Sequence, residues 1–114
     1  MKSLLAAAAA VAACLLPASV RAQQPTTRVL LDNPSVRVSL LEFVPGAATG
    51  RHQGLEPEIG ILLEGELVLD DPSGRQALTP GSPVYWMPGL TPHDLRNESD
   101  RPARLWDILL KRCD

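Results

Sequence analysis

The sequence predicts an all-β domain, an antiparallel sandwich or barrel, on three observations. Pro/Gly-rich punctuation recurs roughly every 8 to 12 residues. The runs between these breaks make about eight short strands, apolar on one face or on both. Nothing after residue 22 carries a convincing helical period.

The first 22 residues stand apart from that pattern. Met1-Lys2 is a positive start, Leu4 to Leu16 is an Ala-rich apolar run, and Pro17 to Ser19 breaks it. Val20-Arg21-Ala22 then offers small residues around a signal-peptidase site. The run has the length of a signal-peptide core and is short of the roughly 20 residues a membrane span needs. Residues 1–22 therefore read as a signal peptide cleaved after Ala22, with a periplasmic or secreted domain over 23–114. Val11-Ala12-Ala13-Cys14 also resembles the lipobox of bacterial lipoproteins, so lipid anchoring at Cys14 is the alternative. Leu15-Leu16 prolongs the apolar run and favours placing Cys14 inside it.

Cleavage would leave 92 of the 114 residues, enough for one domain with a modest core. Without Lys2 and Arg21 the balance is 9 basic against 13 acidic residues, a net charge of −4. No basic cluster forms, which argues against nucleic acid and anionic membrane surfaces as partners. Cys113 is then the one remaining cysteine, so an internal disulfide is excluded.

Taken in order, Gln23 to Thr27 reads as a polar lead-in and Val29 to Leu31 as a short strand stopped by Asp32-Asn33-Pro34. Val36 to Val44 is the first long strand, ended by Pro45-Gly46. Ile59 to Leu63 is apolar on both faces, as a buried strand requires. Glu64-Gly65 turns into Glu66 to Asp70, and Asp71 to Gly74 turns again into Arg75 to Thr79. Pro83 to Met87 is rich in strand-favouring Val84, Tyr85 and Trp86. His93 to Asn97 follows the Pro88 to Pro92 loop, and Arg104 to Lys111 closes the fold. This last strand is apolar on both faces, which suits either a central position or a face covered by a second subunit in a homodimer.

Two stretches carry the chemistry. His52 and Glu58 lie six positions apart before a buried strand, and His93 sits on a Pro/Gly-rich loop. Two imidazoles and a carboxylate delivered by different strands suggest a metal site inside a small barrel.

These residues resemble the cupin superfamily, whose motifs are G-x5-H-x-H-x3,4-E-x6-G and G-x5-P-x-G-x2-H-x3-N. Gly46, His52, Glu58 and Gly65 fall on the first at the right separations. Gly81, Pro88, His93 and Asn97 fall on the second, with one extra residue before Pro88 and the inner glycine at Gly89 rather than one position later. The chain from about Val29 to Lys111 looks like the small single-domain cupins of bacteria. The resemblance implies an antiparallel cupin β-barrel, or jelly roll, with its site in the barrel mouth.

One departure stands out: Gly54 occupies the place of the family's second His. The metal ligands implied are then His52, Glu58 and His93, a set with open positions suited to Fe(II), Mn(II) or a similar divalent ion. Zn, with water as a fourth ligand, also fits, and Ni or Cu is not distinguished. Gln53 should point away, whereas Glu56 shares the parity of Glu58. Arg51 or Arg96 could pair with Glu58 in the absence of metal. Trp86 and Tyr85 alternate, so one of them should line the pocket, with Trp86 the first candidate. Asn97 should satisfy backbone groups at a strand end, Gly65 and Gly89 should serve turns, and Asp94 should face away from His93.

The leading functional expectation is a metal-dependent pocket for a small, oxygen-rich molecule, used for oxygenation, isomerisation or decarboxylation. The alternatives are a non-catalytic ligand-binding or sensing module, and a structural dimer with a vestigial site.

Overall fold

The computed structural model describes residues 22–81 and 84–111. The expectations for the leader, Cys14 and Cys113 fall outside these residues. Within them lie eight strands: β1 (Thr26–Asp32), β2 (Val36–Phe43), β3 (Glu58–Glu64), β4 (Leu67–Asp71), β5 (Gly74–Leu78), β6 (Tyr85–Met87), β7 (Asp94–Arg96) and β8 (Ala103–Leu110). No helix among the described residues is long and apolar enough to cross a membrane.

The strands form two antiparallel sheets, β1-β2-β8-β3-β6 and β5-β4-β7. β8 is central, between β2 and β3, so its two-sided apolar character has a reason within the subunit. β1 corrects the expected lead-in: Thr26 and Thr27 pair with Glu42 and Leu41 and belong to the strand. Pairing to β2 here overrides a polar local sequence.

Because side chains alternate, each register fixes a face. Phe43, Leu105, Met87 and Tyr85 of the large sheet meet Leu67, Leu69, Leu78 and Leu95 of the small one in a single core. Full burial of each such side chain is worth roughly 1.5–3 kcal/mol. The other face of the large sheet carries the row Leu31, Val38, Ile108, Ile59 and Trp86, one residue from each strand. Trp86 and Trp106 both look outward on this face, 56% and 40% exposed.

Two corners hold the sheets in place. Gly65 has φ +82°, and a side chain there would strike the Pro102 carbonyl oxygen at 2.4 Å, so only glycine makes the turn after β3. Asn97 is buried after β7 and donates from Nδ2 to the carbonyls of Phe43 (3.0 Å) and Arg101 (2.7 Å). Its Oδ1 accepts from the Ser99 amide and hydroxyl. Asn97 thus closes a strand end, as its place in the sequence suggests.

Candidate metal centre

His52 and His93 face each other across an isolated antiparallel bridge. The His52 amide donates to the His93 carbonyl at 3.0 Å, and the His93 amide donates back at 2.9 Å. Two residues paired in this way project their side chains to the same side. Their rings lie 4.3 Å apart, tilted by 54°. Glu58 opens β3 on the inner face, where it pairs with Met87 and Leu109. One donor atom from each of His52, Glu58 and His93 lies within 4.8 Å of the others.

The protonation pattern suits a cation. His52 Nδ1 lies 2.8 Å from the Gly50 carbonyl oxygen, and His93 Nδ1 lies 2.8 Å from that of Thr91. A carbonyl only accepts, so each Nδ1 carries a proton and Nε2 is the ring nitrogen left to serve as a ligand. His93 is 2% exposed, and its Nε2 is a buried nitrogen without a hydrogen-bond partner. Glu58 Oε1 lies 2.7 Å away, an ion-pair distance when the ring is protonated, though not aligned as a hydrogen bond. An orphaned ring nitrogen beside a carboxylate fits a divalent ion, which would be held by His52, Glu58 and His93.

Burial favours the neutral form of both groups. For Glu58 it is outweighed by the adjoining His93 ring, the Asp107 carboxyl and the His52 ring, so the carboxyl is held below its usual range. For His93, burial is outweighed by the Glu58 carboxylate and the Thr91 carbonyl, which raise its pKa.

The remaining candidates scatter. Trp86 does not line the interior: it pairs with Ile59 and faces out, while Tyr85 faces in and is 5% exposed. Arg51 is exposed and Arg96 pairs with Asp94 at 3.3 Å, so neither meets Glu58. Asp94 accepts from the Gly50 amide and the Thr49 hydroxyl, turned away from the His93 ring. Glu56 is half-buried but lies outside the converging group. A Cβ at Gly54 would meet nothing within 4 Å, so a side chain would fit there, but none supplies a fourth donor. Gly89 is explained by a close approach, since a Cβ would lie 2.2 Å from the Leu55 carbonyl oxygen. The left-handed residue of this loop is instead Leu90, at φ +61°.

One residue was missed. Asp107 lies on the inner face of β8 against Glu58, and burial followed by the Glu58 carboxylate pushes its pKa up to about 8. The signal was present: a lone acid inside the apolar run RLWDILL has no reason to sit on an inner face. A cleft of about 550 Å³ lined by Glu66, Thr79, Pro80 and Ser99 lies near Gly65, at the far end of β3 from Glu58.

An eight-stranded double sheet with two imidazoles and one carboxylate at its mouth defines the class, a small β-barrel with a potential metal site. The cupin-domain family model matches residues 39–109, and the chain belongs to that family. The chain is 35% identical over 78 residues to the β-alanine degradation protein BauB of Pseudomonas aeruginosa, covering 67% of this chain and 82% of that protein. Among solved structures, a cupin domain from Bordetella pertussis aligns with a TM-score of 0.69 at 27% identity, over 82% of this chain and all of that one. A Thermus thermophilus protein, TT1209, aligns with a TM-score of 0.72 at 25% identity, over 79% and 86% of the two chains.

Proposed function

We propose that this chain is an exported cupin that binds a divalent metal ion through His52, Glu58 and His93 and takes a small polar molecule at that centre. The observation that carries the reading is the convergence of the buried His93 Nε2, 2.7 Å from Glu58 Oε1, with a second imidazole. A vestigial pocket has no use for that arrangement, because withdrawing an imidazole and a carboxylate from water costs stability. A bound ion would act as a Lewis acid or oxygen activator. The chain's own part is to fix three donors while leaving the exposed His52 side open to a ligand. BauB is named for β-alanine degradation, so small carboxylates and amino acids of that size are the first compounds to assay.

Elemental analysis of mature protein purified without a His tag or chelator tests the metal. Near-stoichiometric Fe, Mn, Ni, Cu or Zn is expected in the wild type and not in a His52→Ala/His93→Ala double variant. Wild-type protein that also refuses added metal would sink the reading.

The reading includes export by cleavage after Ala22, with lipid attachment at Cys14 the rival. Intact mass of the secreted chain separates the two. It also includes a homodimer through the outer face of the large sheet. Five strands of up to eight residues present about 600 Å² in projection. Corrugated side chains bring the accessible area toward the roughly 800 Å² per subunit of a stable interface. Light scattering should show a dimer that Trp106→Glu dissociates. A wild-type monomer at all concentrations would refute it.

A further inference from the structure

Ahead of β1, the chain is already tied to the barrel at Gln23. The Gln23 carbonyl accepts from the Ala48 amide at 2.9 Å, and Gln24 Nε2 donates to the Thr49 carbonyl at 3.2 Å. The opposite edge of that segment bonds to the stretch after His93: the Gly46 amide donates to Asn97, the Asn97 amide to Ala47, and the Thr49 amide to Leu95. His52 and His93 continue the same ladder. Gln23 and Gln24 therefore flank the segment that delivers His52. Ala48 is 5% exposed, so the Gln23 carbonyl satisfies the amide of a buried residue, and losing it would destabilise the fold.

The Gln23 side chain is itself exposed and holds no hydrogen bond among the described residues. Ala22, the residue before it, borders a cleft of about 220 Å³ together with Gln24, Ala48, Gly50, Asp94 and Arg96. The acid in that cleft is already engaged. Asp94 Oδ1 accepts from the Gly50 amide at 3.1 Å and the Thr49 hydroxyl at 3.3 Å, and Oδ2 lies 3.3 Å from Arg96 Nε. A second cation on this cleft would find the carboxylate neutralised and would meet the charge of Arg96.

We propose that Gln23 becomes an N-terminal pyroglutamate. This rests on the reading that the leader is cleaved after Ala22, which frees the Gln23 α-amine. That nitrogen attacks the side-chain carbonyl carbon of its own residue: the N–Cδ bond forms, the Cδ–Nε2 bond breaks, and Nε2 leaves as ammonia with a proton passed on from the amine. The balance requires no oxidant, reductant or further reactant. The lactam ring takes in N, Cα, Cβ, Cγ and Cδ of Gln23 and leaves the main-chain carbonyl outside, so the bond from Ala48 survives. Ring closure removes the α-ammonium charge beside Arg96. It also leaves no free amine for an aminopeptidase to grip, and so protects the residue whose carbonyl the Ala48 amide needs.

The test exports the full chain from a bacterial host and compares the wild type with Gln23→Ser, which keeps the main-chain carbonyl but has no side-chain amide to cyclise. Freshly isolated protein is measured by intact mass and by fragmentation of its N-terminal peptide, then unfolded and treated with a general aminopeptidase. The wild type should begin at Gln23, weigh one ammonia less than the open chain, and resist the aminopeptidase until a pyroglutamyl peptidase is added. Gln23→Ser should show no such loss of mass and should be shortened by the aminopeptidase directly. A wild-type chain that begins at Gln23 with its full mass and is open to the aminopeptidase would overturn the proposal while leaving the cleavage reading standing. A chain that keeps its leader, carries lipid at Cys14 or begins at another residue would overturn the cleavage reading, and this modification with it.

Discussion

Gly60→Ala is the sharpest probe of the inner face, because a single methyl group meets a ring at known distances. The added Cβ would lie 1.9, 2.2 and 2.6 Å from Cε1, Cζ and Cδ1 of Tyr85. Carbon atoms in contact keep about 3.5–4.0 Å, so the ring must retreat by about 1.5 Å or more. Tyr85 is 5% exposed and packed among Phe43, Met87 and Leu105, so it has nowhere easy to go. Overpacking of this kind costs about 1–3 kcal/mol. Relief of glycine's backbone entropy returns only about 0.5–1 kcal/mol. Taking the upper part of the overpacking range, the net cost is about 2 kcal/mol. For a domain of this size that lowers the melting temperature by about 8–16 °C. The assay is a thermal double-mutant cycle with Tyr85→Val, which removes the clashing ring atoms. In that background Gly60→Ala should be neutral or slightly stabilising, giving a coupling energy of about 2–3 kcal/mol. A Gly60→Ala protein melting within about 2 °C of the wild type would refute the reasoning. Equal costs in the two backgrounds would refute it too.

Two further outcomes follow from backbone strain and from charge. Leu90 holds φ +61° and is 56% exposed. Leu90→Gly should therefore relieve about 1–2 kcal/mol of left-handed strain against about 0.5–1 kcal/mol of lost unfolded-state restriction. A rise of a few degrees in melting temperature is expected, and a fall would show that the Leu90 side chain packs more than its exposure indicates. The metal-free protein should lose stability as pH rises from about 4 to about 8. Asp107 keeps its proton up to about 8 when folded but only to its ordinary 3.8 when unfolded, so the folded state binds more protons across that window. The raised pKa of His93 acts in the same sense above its ordinary 6.5. Glu58, held low, takes stability away only as pH falls through its own range. Melts with chelator at pH 5, 6.5 and 8 should decline in that order, and Asp107→Asn should flatten the decline. A rising series would contradict the placement of Asp107.

The strand count and the donor set were legible because both rest on local spacing. Turn residues at short intervals mark eight strands, and the separations Gly46–His52–Glu58–Gly65 and His93–Asn97 survive any small error in strand boundaries. Parity placed Asp94 away from the His93 ring for the same reason. What stayed hidden depends on pairing between distant strands. Whether Tyr85 or Trp86 faces inward is set by the register of β6 on β3, and that register turns on Gly60 making room for a ring. Asp107 becomes a neighbour of Glu58 only when β8 lies beside β3. Thr26 and Thr27 join a strand only because β2 offers them partners. The guess that Arg51 or Arg96 would neutralise Glu58 failed on direction, since Arg96 is drawn off by Asp94.

The loop geometry also bears on the missing fourth ligand. Two of the three donors sit outside the regular strands, yet neither hangs on a free loop. Paired amides tie His52 to His93, the Leu90 amide donates to the Gly54 carbonyl at 2.6 Å, and Gly89 admits the Leu55 carbonyl at close range. The segment carrying His52 is thus stitched to the segment carrying His93 before any ion arrives. Each imidazole is further fixed by its own Nδ1 contact. Ordering donors is part of what weakens a site, and donors already held in place avoid that cost on binding. A site with three pre-aligned donors can therefore retain affinity that three mobile ones would lose, and it leaves more coordination positions for water or substrate. On this view Gly54 opens the centre rather than dismantling it. The backbone of Gly54 remains necessary whatever side chain is absent, because its carbonyl anchors the loop that presents His93.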